Sequence, residues 1–234
     1  MTFDAKMTAA GALSSRPPRP LRRDGAVPDR SWPIRVGRRV RGALDRAIAA
    51  SSLVSNEAVL DVRDFAWTAL LRERWREILA EAHGVAGPDD ATGRWRSVAL
   101  REPGGAPAAA LARCPVTAAA IARIPGLDAA GFSILPPGAH VPVRRGESKR
   151  VITCHLALVV PRDGDARMRV HDRVVRWAAG ETLLFDDTYD HEVWNDTGGP
   201  HVVLLVRFER PLRHPGKWLA GLVRGAMRSP LRPR

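Results

Sequence analysis

The sequence contains little lysine, little cysteine and no long apolar run. Lysine occurs only at Lys6, Lys149 and Lys217, so arginine supplies nearly all of the formal net charge of +12. Two cysteines, Cys114 and Cys154, are too few for a disulfide framework of the kind that stabilises small secreted domains. No stretch is apolar enough to span a bilayer or to form the core of a signal peptide. These absences predict a cytoplasmic protein, with peripheral contact at the inner face of a membrane as an open alternative.

Positive charge is concentrated at the two ends of the chain. Arginines are dense between residues 16 and 41, and the segment after residue 210 is basic as well. Basic segments can bind nucleic acid or an anionic membrane surface, and they are also common as solvated tails. We predict a disordered basic segment over residues 1–30 and a short basic helix over residues 213–234. A solvated tail is the simplest interpretation, peripheral contact with an anionic membrane stays open, and nucleic acid is disfavoured.

The hydrophobic pattern divides the rest of the chain into a helical part over residues 31–129 and a β-rich part over residues 130–212. Apolar residues at helical spacing predict three helices, over residues 34–52, 64–83 and 117–123. Asp64 is expected to cap the second helix, and residues 84–105 are expected to form loops. From residue 130 onward, short β-branched runs alternate with Gly, Pro and Asp turns, which is typical of an antiparallel sandwich or jelly roll. The fold class is therefore predicted to be mainly β.

Four ordered motifs carry a resemblance to a known family. They are Cys114–Thr117, Gly131–Leu135, Cys154–Leu158 and the block Phe185–Asn195, which reads FDDTYDHEVWN. This block resembles the F-D-D-[ST]-x-x-H-E-[AV]-W-N motif of the aspartyl/asparaginyl β-hydroxylases, and the other three resemble motifs that precede it in that family. The resemblance implies a double-stranded β-helix, or jelly roll, with the N-terminal helices packed on it. It also implies an oxidoreductase of the iron- and 2-oxoglutarate-dependent dioxygenase class.

The resemblance implies a metal site in which one position has changed. His191 matches one of the two histidines with which the family binds Fe(II), Gly146 matches a family glycine, and Arg144 stands where the other histidine is expected. A guanidinium has no available lone pair and stays charged at physiological pH, so Arg144 cannot bind a metal ion. His140 lies four residues before Arg144 and would share its side of a regular strand, which makes it an alternative ligand. Asp187 is expected either to orient His191 or to form a turn.

The cosubstrate pocket is predicted to differ from the family pattern as well. By resemblance, Ser133 and His155 match residues that contact 2-oxoglutarate, whereas two arginines that bind its carboxylates are replaced by Thr153 and His201. Arg150 has the opposite parity to Thr153 along the strand, so it is predicted to point away. Charge-assisted pairs are about twice as strong as neutral hydrogen bonds, so these changes predict altered binding. Fe(II) and 2-oxoglutarate are the cofactors that the resemblance implies, and the alternative is that neither is bound.

Three functions remain open at this stage. The first is a hydroxylase acting on an aspartyl residue, a small acid or an acyl chain, with Arg145 and Trp194 as candidate substrate-binding residues. The second is a catalytically inactive pseudoenzyme that binds an anionic ligand or a protein partner, and the altered pocket favours it. The third is a membrane-associated adaptor that uses its basic ends.

Overall fold

The computed structural model describes three stretches of the chain, residues 38–86, 95–103 and 106–221. The predicted disordered segment and most of the predicted C-terminal helix lie outside the described residues. Among the described residues, no helix is both long and apolar enough to cross a bilayer. The helices are α1 (Arg38–Ala50), α2 (Thr68–Glu73), α3 (Trp75–Ala86) and α4 (Pro115–Ile121), with two 3-10 turns (Val62–Asp64 and Ala109–Arg113) and a further helical stretch at residues 216–221.

Within the described residues, ten strands form two antiparallel sheets. They are β1 (Val59–Leu60), β2 (Arg96–Arg101), β3 (Leu127–Leu135), β4 (Ala139–Arg144), β5 (Val151–Val159), β6 (Asp165–Val170), β7 (Arg173–Arg176), β8 (Thr182–Phe185), β9 (His191–Asp196) and β10 (His201–Glu209). The larger sheet has the order β1-β8-β5-β10-β3-β2, and the smaller has the order β4-β9-β6-β7. From β3 to β10 the chain crosses repeatedly between the two sheets, which is the connectivity of a double-stranded β-helix. The predicted jelly roll is therefore confirmed.

The two faces of the larger sheet have different neighbours. On β10, alternate residues such as Leu204 and Phe208 face a core that also contains Leu71 and Ile78 of the helices. The intervening residues of β10, at odd-numbered positions, face the space between the two sheets. Period-two alternation thus separates a helix-covered core on one side from the interior of the β-sandwich on the other.

The second predicted helix, over residues 64–83, is wrong as a single element. Asp61 caps the 3-10 turn by accepting from the backbone N–H of Arg63 at 2.9 Å, so Asp64 ends that turn and caps no helix. Arg74, with φ −100° and ψ 11°, leaves the helical region and separates α2 from α3. The predicted helix over residues 117–123 is confirmed as α4, which starts and ends two residues earlier.

The predicted loop over residues 84–105 contains a strand. In β2, Val98 pairs with Phe132 and Ala99 pairs with Gly131, so β2 extends the larger sheet by one edge strand. Gly131 is required at this contact, because a Cβ there would lie 2.8 Å from the carbonyl oxygen of Val98. Arginines at both ends of β2 interrupt its apolar run, which is why the sequence pattern did not reveal it.

Candidate functional site

A cavity of about 220 Å³ opens between the two sheets. Its floor is formed by inward-facing side chains of the larger sheet, among them Ser133 of β3, Thr153 and His155 of β5, and Leu205 and Arg207 of β10. The predicted parity is correct for β5, because Thr153 and His155 both line the cavity. A smaller adjoining cavity of about 30 Å³ shares Ser133 and His155 with the main one.

Arg144 and His191 face each other across the smaller sheet. They are paired residues of β4 and β9, and Arg144 Nε lies 3.3 Å from His191 Nε2. His191 Nδ1 lies 3.0 Å from the carbonyl oxygen of Tyr189, which can only accept, so Nδ1 carries the proton. The lone pair on Nε2 therefore receives the N–H of Arg144. Burial lowers the pKa of His191 and the cation of Arg144 lowers it further, while the hydrogen bond to Tyr189 opposes them.

A β-bulge in β4 separates His140 from this pair. Three residue steps along β4, from Val141 to Arg144, match two steps along β9, from Val193 to His191. The bulge breaks the regular alternation, so Arg144 shares the inward face with Val141 and not with His140. His140 Nε2 instead lies 3.3 Å from the carboxylate of Glu192, outside both cavities. The expectation that His140 shares the side of Arg144 is wrong, and with it the geometric basis for His140 as a metal ligand.

Trp194, a candidate substrate-binding residue, lies outside the cavity as well. Its indole stacks on the His140 ring with the centroids 5.0 Å apart, and the guanidinium of Arg167 lies 4.9 Å from the indole centroid. Arg145, the other candidate, does line the mouth of the cavity, where its Nη2 donates to Asp190 at 2.8 Å. Of the two candidates, only Arg145 is in a position to meet a ligand.

Gly146 and Asp187 close one side of the cavity. A Cβ on Gly146 would lie 2.0 Å from Asp187 Oδ1, so the carboxylate occupies the space that any larger residue would need. Asp187 Oδ2 accepts from Thr153 Oγ1 at 3.2 Å, and it lies 3.9 Å from Arg207 Nε. The Nδ1 partner of His191 is the Tyr189 carbonyl, whereas the Asp187 carboxylate is held by Thr153.

Two of the predicted cosubstrate residues have hydrogen-bond partners in the protein, and a third packs against an aromatic ring. Ser133 Oγ accepts from the indole N–H of Trp95 at 2.8 Å, and the same indole lies 5.2 Å from the Arg144 guanidinium. His155 is buried against Phe185, and burial lowers its pKa to about 3. His201 lines the smaller cavity, where its Nδ1 lies 2.9 Å from a backbone carbonyl oxygen. Arg150 points away, as predicted, and pairs with Asp128 and Glu209 at 3.5 Å.

The burial of His201 predicts a pH dependence of stability. Burial lowers its pKa to about 4, whereas an exposed histidine titrates near 6.5. Below pH 6.5 the unfolded chain binds a proton at this position that the folded chain does not, so stability falls as the pH falls towards 4. At pH 5 this loss amounts to about 2 kcal/mol. Urea denaturation at pH 7 and at pH 5 gives the free energy of unfolding at each pH. The difference between these two free energies should be smaller by that amount in His201→Gln than in the native protein. His83→Gln, an exposed control on α3, should leave it unchanged.

Two arginines of the cavity have no counterpart among the sequence-based site residues. Arg207 is paired with Thr153 across β5 and β10, and Arg101 ends β2, the edge strand of the same sheet. Among the described residues, Nε of each is buried without a hydrogen-bond partner. Arg207 could have been found by counting in steps of two from His201 along β10. Arg101 could not, because β2 itself was not predicted.

Within the described ranges, no group of three or more His, Cys, Asp or Glu side chains is arranged to hold a metal ion. His191, Asp187 and His155 all line the cavity, but Arg144 Nε takes the open nitrogen of His191. The described part of the cavity therefore offers four arginines, with the carboxylates of Glu102, Glu147 and Asp187 also in its lining, and no assembled metal-ligand set.

Comparisons with known proteins give consistent matches. A family model described as aspartyl/asparaginyl beta-hydroxylase matches residues 67–211. An ornithine lipid ester-linked acyl 2-hydroxylase of Rhizobium tropici is 36% identical over 71% of this chain and 65% of its own length. The human aspartyl/asparaginyl beta-hydroxylase is 27% identical over 61% of this chain and 20% of its own length. Among solved structures, the DMSP lyase DddQ from Ruegeria pomeroyi matches 52% of this chain and 49% of that chain, with 16% identity and a TM-score of 0.34.

Proposed function

The chain belongs to the aspartyl/asparaginyl β-hydroxylase family, and from this premise we propose that its central cavity binds an anionic ligand without assembling an iron centre. It is an aspartyl/asparaginyl β-hydroxylase-like dioxygenase domain by descent and by fold. The chain spans 65% of the length of the Rhizobium relative and 20% of the length of the human relative. The activities of those proteins are therefore hypotheses for this chain.

One observation carries the proposal, namely the hydrogen bond from Arg144 Nε to His191 Nε2 at 3.3 Å. A ferrous ion bound to His191 would need the lone pair that this hydrogen bond occupies. It would also sit beside a guanidinium that cannot lose its charge, and two cations at such a distance repel strongly in a partly buried site. The residues present therefore do not fit Fe(II) while Arg144 keeps this position.

The remaining lining supports an anionic ligand. Arg101 and Arg207 both line the cavity, on the two strands of the larger sheet that flank β3, and each has a buried Nε without a hydrogen-bond partner among the described residues. A buried donor left unpaired is costly, and a carboxylate or phosphate oxygen would satisfy it with a charge-assisted hydrogen bond. Arg145 stands at the mouth, where it can meet an incoming anion. We take a small carboxylate or phosphate compound as the ligand class.

The proposal predicts dicarboxylate binding that needs no metal. Calorimetric titration of the full chain with 2-oxoglutarate in the presence of EDTA should show binding. Arg207→Gln should weaken it about tenfold or more, because one charge-assisted hydrogen bond contributes about 1.5–3 kcal/mol. Arg167→Gln is the matched control, since Arg167 lies on the outer face of the smaller sheet against Trp194, and it should leave the affinity unchanged. Binding that is seen only after Mn(II) is added would contradict the proposal.

A second candidate function is hydroxylation of a lipid acyl chain. It is favoured by the 36% identity with the ornithine lipid acyl 2-hydroxylase and by apolar cavity walls that include Ala129, Ala130 and Leu205. It requires Arg144 to leave His191. Incubation with ornithine lipid, Fe(II), 2-oxoglutarate and oxygen, followed by mass spectrometry of the lipid, separates the two candidates. A hydroxylated product that is lost in His191→Ala would replace the first proposal with the second.

A further inference from the structure

Two of the large apolar side chains that are exposed in the described structure lie on neighbouring segments. Leu53, just after α1, is 62% exposed, and Trp218, in the helical stretch 216–221, is 64% exposed. The backbone N–H of Leu53 donates to the carbonyl of Pro211 at 2.9 Å. Gly216 lies directly on Ser51, since a Cβ added to it would be 2.2 Å from the Ser51 Cβ. The end of α1 and the helical stretch therefore lie side by side and bring both side chains to one end of the molecule.

Exposed cations accompany these apolar side chains. Arg213 and Lys217 are exposed, and the backbone N–H of Arg213 donates to the carbonyl of Ser51 at 2.9 Å. The sequence from residue 210 to residue 234 contains seven Arg and Lys residues and no Asp or Glu. The exposed acid near Leu53 in sequence, Glu57, is paired with Arg173 at 3.2 Å. The surface thus combines exposed apolar groups with positive charge.

We infer that the tail patch, defined as Leu53, Arg213, Lys217 and Trp218, docks the protein on an anionic lipid bilayer. An indole is suited to the level of the lipid headgroups because its body is apolar and its N–H is polar. Lys and Arg beside it are attracted to anionic headgroups, and an exposed leucine gains by entering the acyl region. A nucleic acid would pair with the cations and could stack on the indole, but it provides no apolar environment in which Leu53 could be buried.

Helix α1 connects the tail patch to the mouth of the cavity. Near its first turns, Arg41 Nη2 donates to the carbonyl of Gly146 at 2.9 Å, and Asp45 accepts from the backbone N–H of Lys149 at 3.0 Å. The nine residue steps from Arg41 to Ala50 span about 14 Å of helix. A bilayer that contacts the tail patch would therefore lie about one helix length from the loop that carries Arg145 and Gly146.

Vesicle sedimentation of the full chain tests the inference. The protein should bind vesicles of phosphatidylcholine containing roughly one-third phosphatidylglycerol and should not bind vesicles of phosphatidylcholine alone. Trp218→Ala and Lys217→Glu should each weaken the partition coefficient by about fivefold or more, because each removes a direct contribution to interfacial binding. High salt should weaken the binding further. All of the substituted side chains are exposed, so circular dichroism of each variant should match that of the native protein.

Two matched controls lie away from the tail patch. Val174 is 52% exposed on the edge strand β7, and Val174→Ala should leave vesicle binding unchanged. Arg162 is exposed in the turn after β5. This turn lies beside the start of β10, whereas Pro211 follows the other end of that strand, so Arg162→Glu should have little effect on vesicle binding. Native-like binding by Trp218→Ala, or equal binding to neutral vesicles, would overturn the inference. The inference would also be overturned, in favour of a nucleic-acid partner, if the protein bound duplex DNA as tightly as it binds anionic vesicles and if the same variants weakened that binding.

Discussion

Replacing Arg144 with histidine is expected to raise the affinity of the cavity for Mn(II) by about 100-fold or more. The substitution removes the guanidinium that takes the lone pair of His191 Nε2. It also places a second imidazole on β4 directly opposite His191, because the two positions are paired across β4 and β9. Two facing imidazoles with neutral nitrogens are good ligands for a divalent metal ion. Calorimetry with Mn(II), in the presence of 2-oxoglutarate, measures the change.

The neighbouring arginine supplies the control for this experiment. Arg145 also lines the cavity mouth, but its guanidinium is bound to Asp190. Arg145→His adds an imidazole to the same loop without freeing His191 Nε2, so it should not raise the affinity for Mn(II). Equal affinities in the native protein and in Arg144→His would show that the guanidinium does not block the site.

Replacing Asp186 with asparagine is expected to lower the free energy of unfolding by about 3–5 kcal/mol. The Asp186 carboxylate accepts from Arg210 Nη2 at 2.6 Å and from Lys149 Nζ at 2.7 Å. The side chains of Asp186 and Arg210 are both 0% exposed, so removing the negative charge leaves a fully buried guanidinium without its counter-ion. Because Lys149 belongs to the loop beside the cavity and Asp187 follows directly in sequence, this ion pair also fixes one wall of the site. Urea denaturation at neutral pH gives the loss.

A second variant and an exposed pair make this prediction specific. If the uncompensated charge causes the loss, removing it as well, in the double variant Asp186→Asn with Arg210→Met, should recover part of the lost stability. Asp61 forms a comparable ion pair with Arg63, but that pair is solvent-exposed, so Asp61→Asn should barely change the urea midpoint. A double variant that is less stable than Asp186→Asn alone would contradict the role assigned to charge.

The β-sandwich could be predicted from the sequence because its strands obey a simple alternation. On β5 and β10, the residues that face the helices and those that face the cavity differ by one position, and this parity correctly placed Thr153, His155 and Arg150. The helices were harder, since the break at Arg74 depends on backbone angles and not on the apolar spacing that continues through it. Strand β2 was missed because arginines flank a short apolar run whose partner, β3, lies some thirty residues further on.

The candidate site could be predicted only in part, because a single bulge changed its composition. Arg144 was identified as the altered position from the motif spacing, but its contact with His191 Nε2 could not be derived without coordinates. His140 was misplaced because alternation was assumed to continue through residues 141–144, where the bulge interrupts it. Trp194 was misplaced for a related reason, since it pairs with His140 and shares its outward face.

The central claim is that Arg144 takes the nitrogen with which His191 would bind a metal ion. Histidine-selective nitrogen NMR of the native protein, recorded during titration with Mn(II) and 2-oxoglutarate, tests it most directly. We predict that His191 carries its proton on Nδ1 and that its ring signals remain sharp when Mn(II) reaches stoichiometric amounts, whereas the corresponding signals of Arg144→His broaden. Paramagnetic broadening of His191 in the native protein at one equivalent of Mn(II) would contradict the claim.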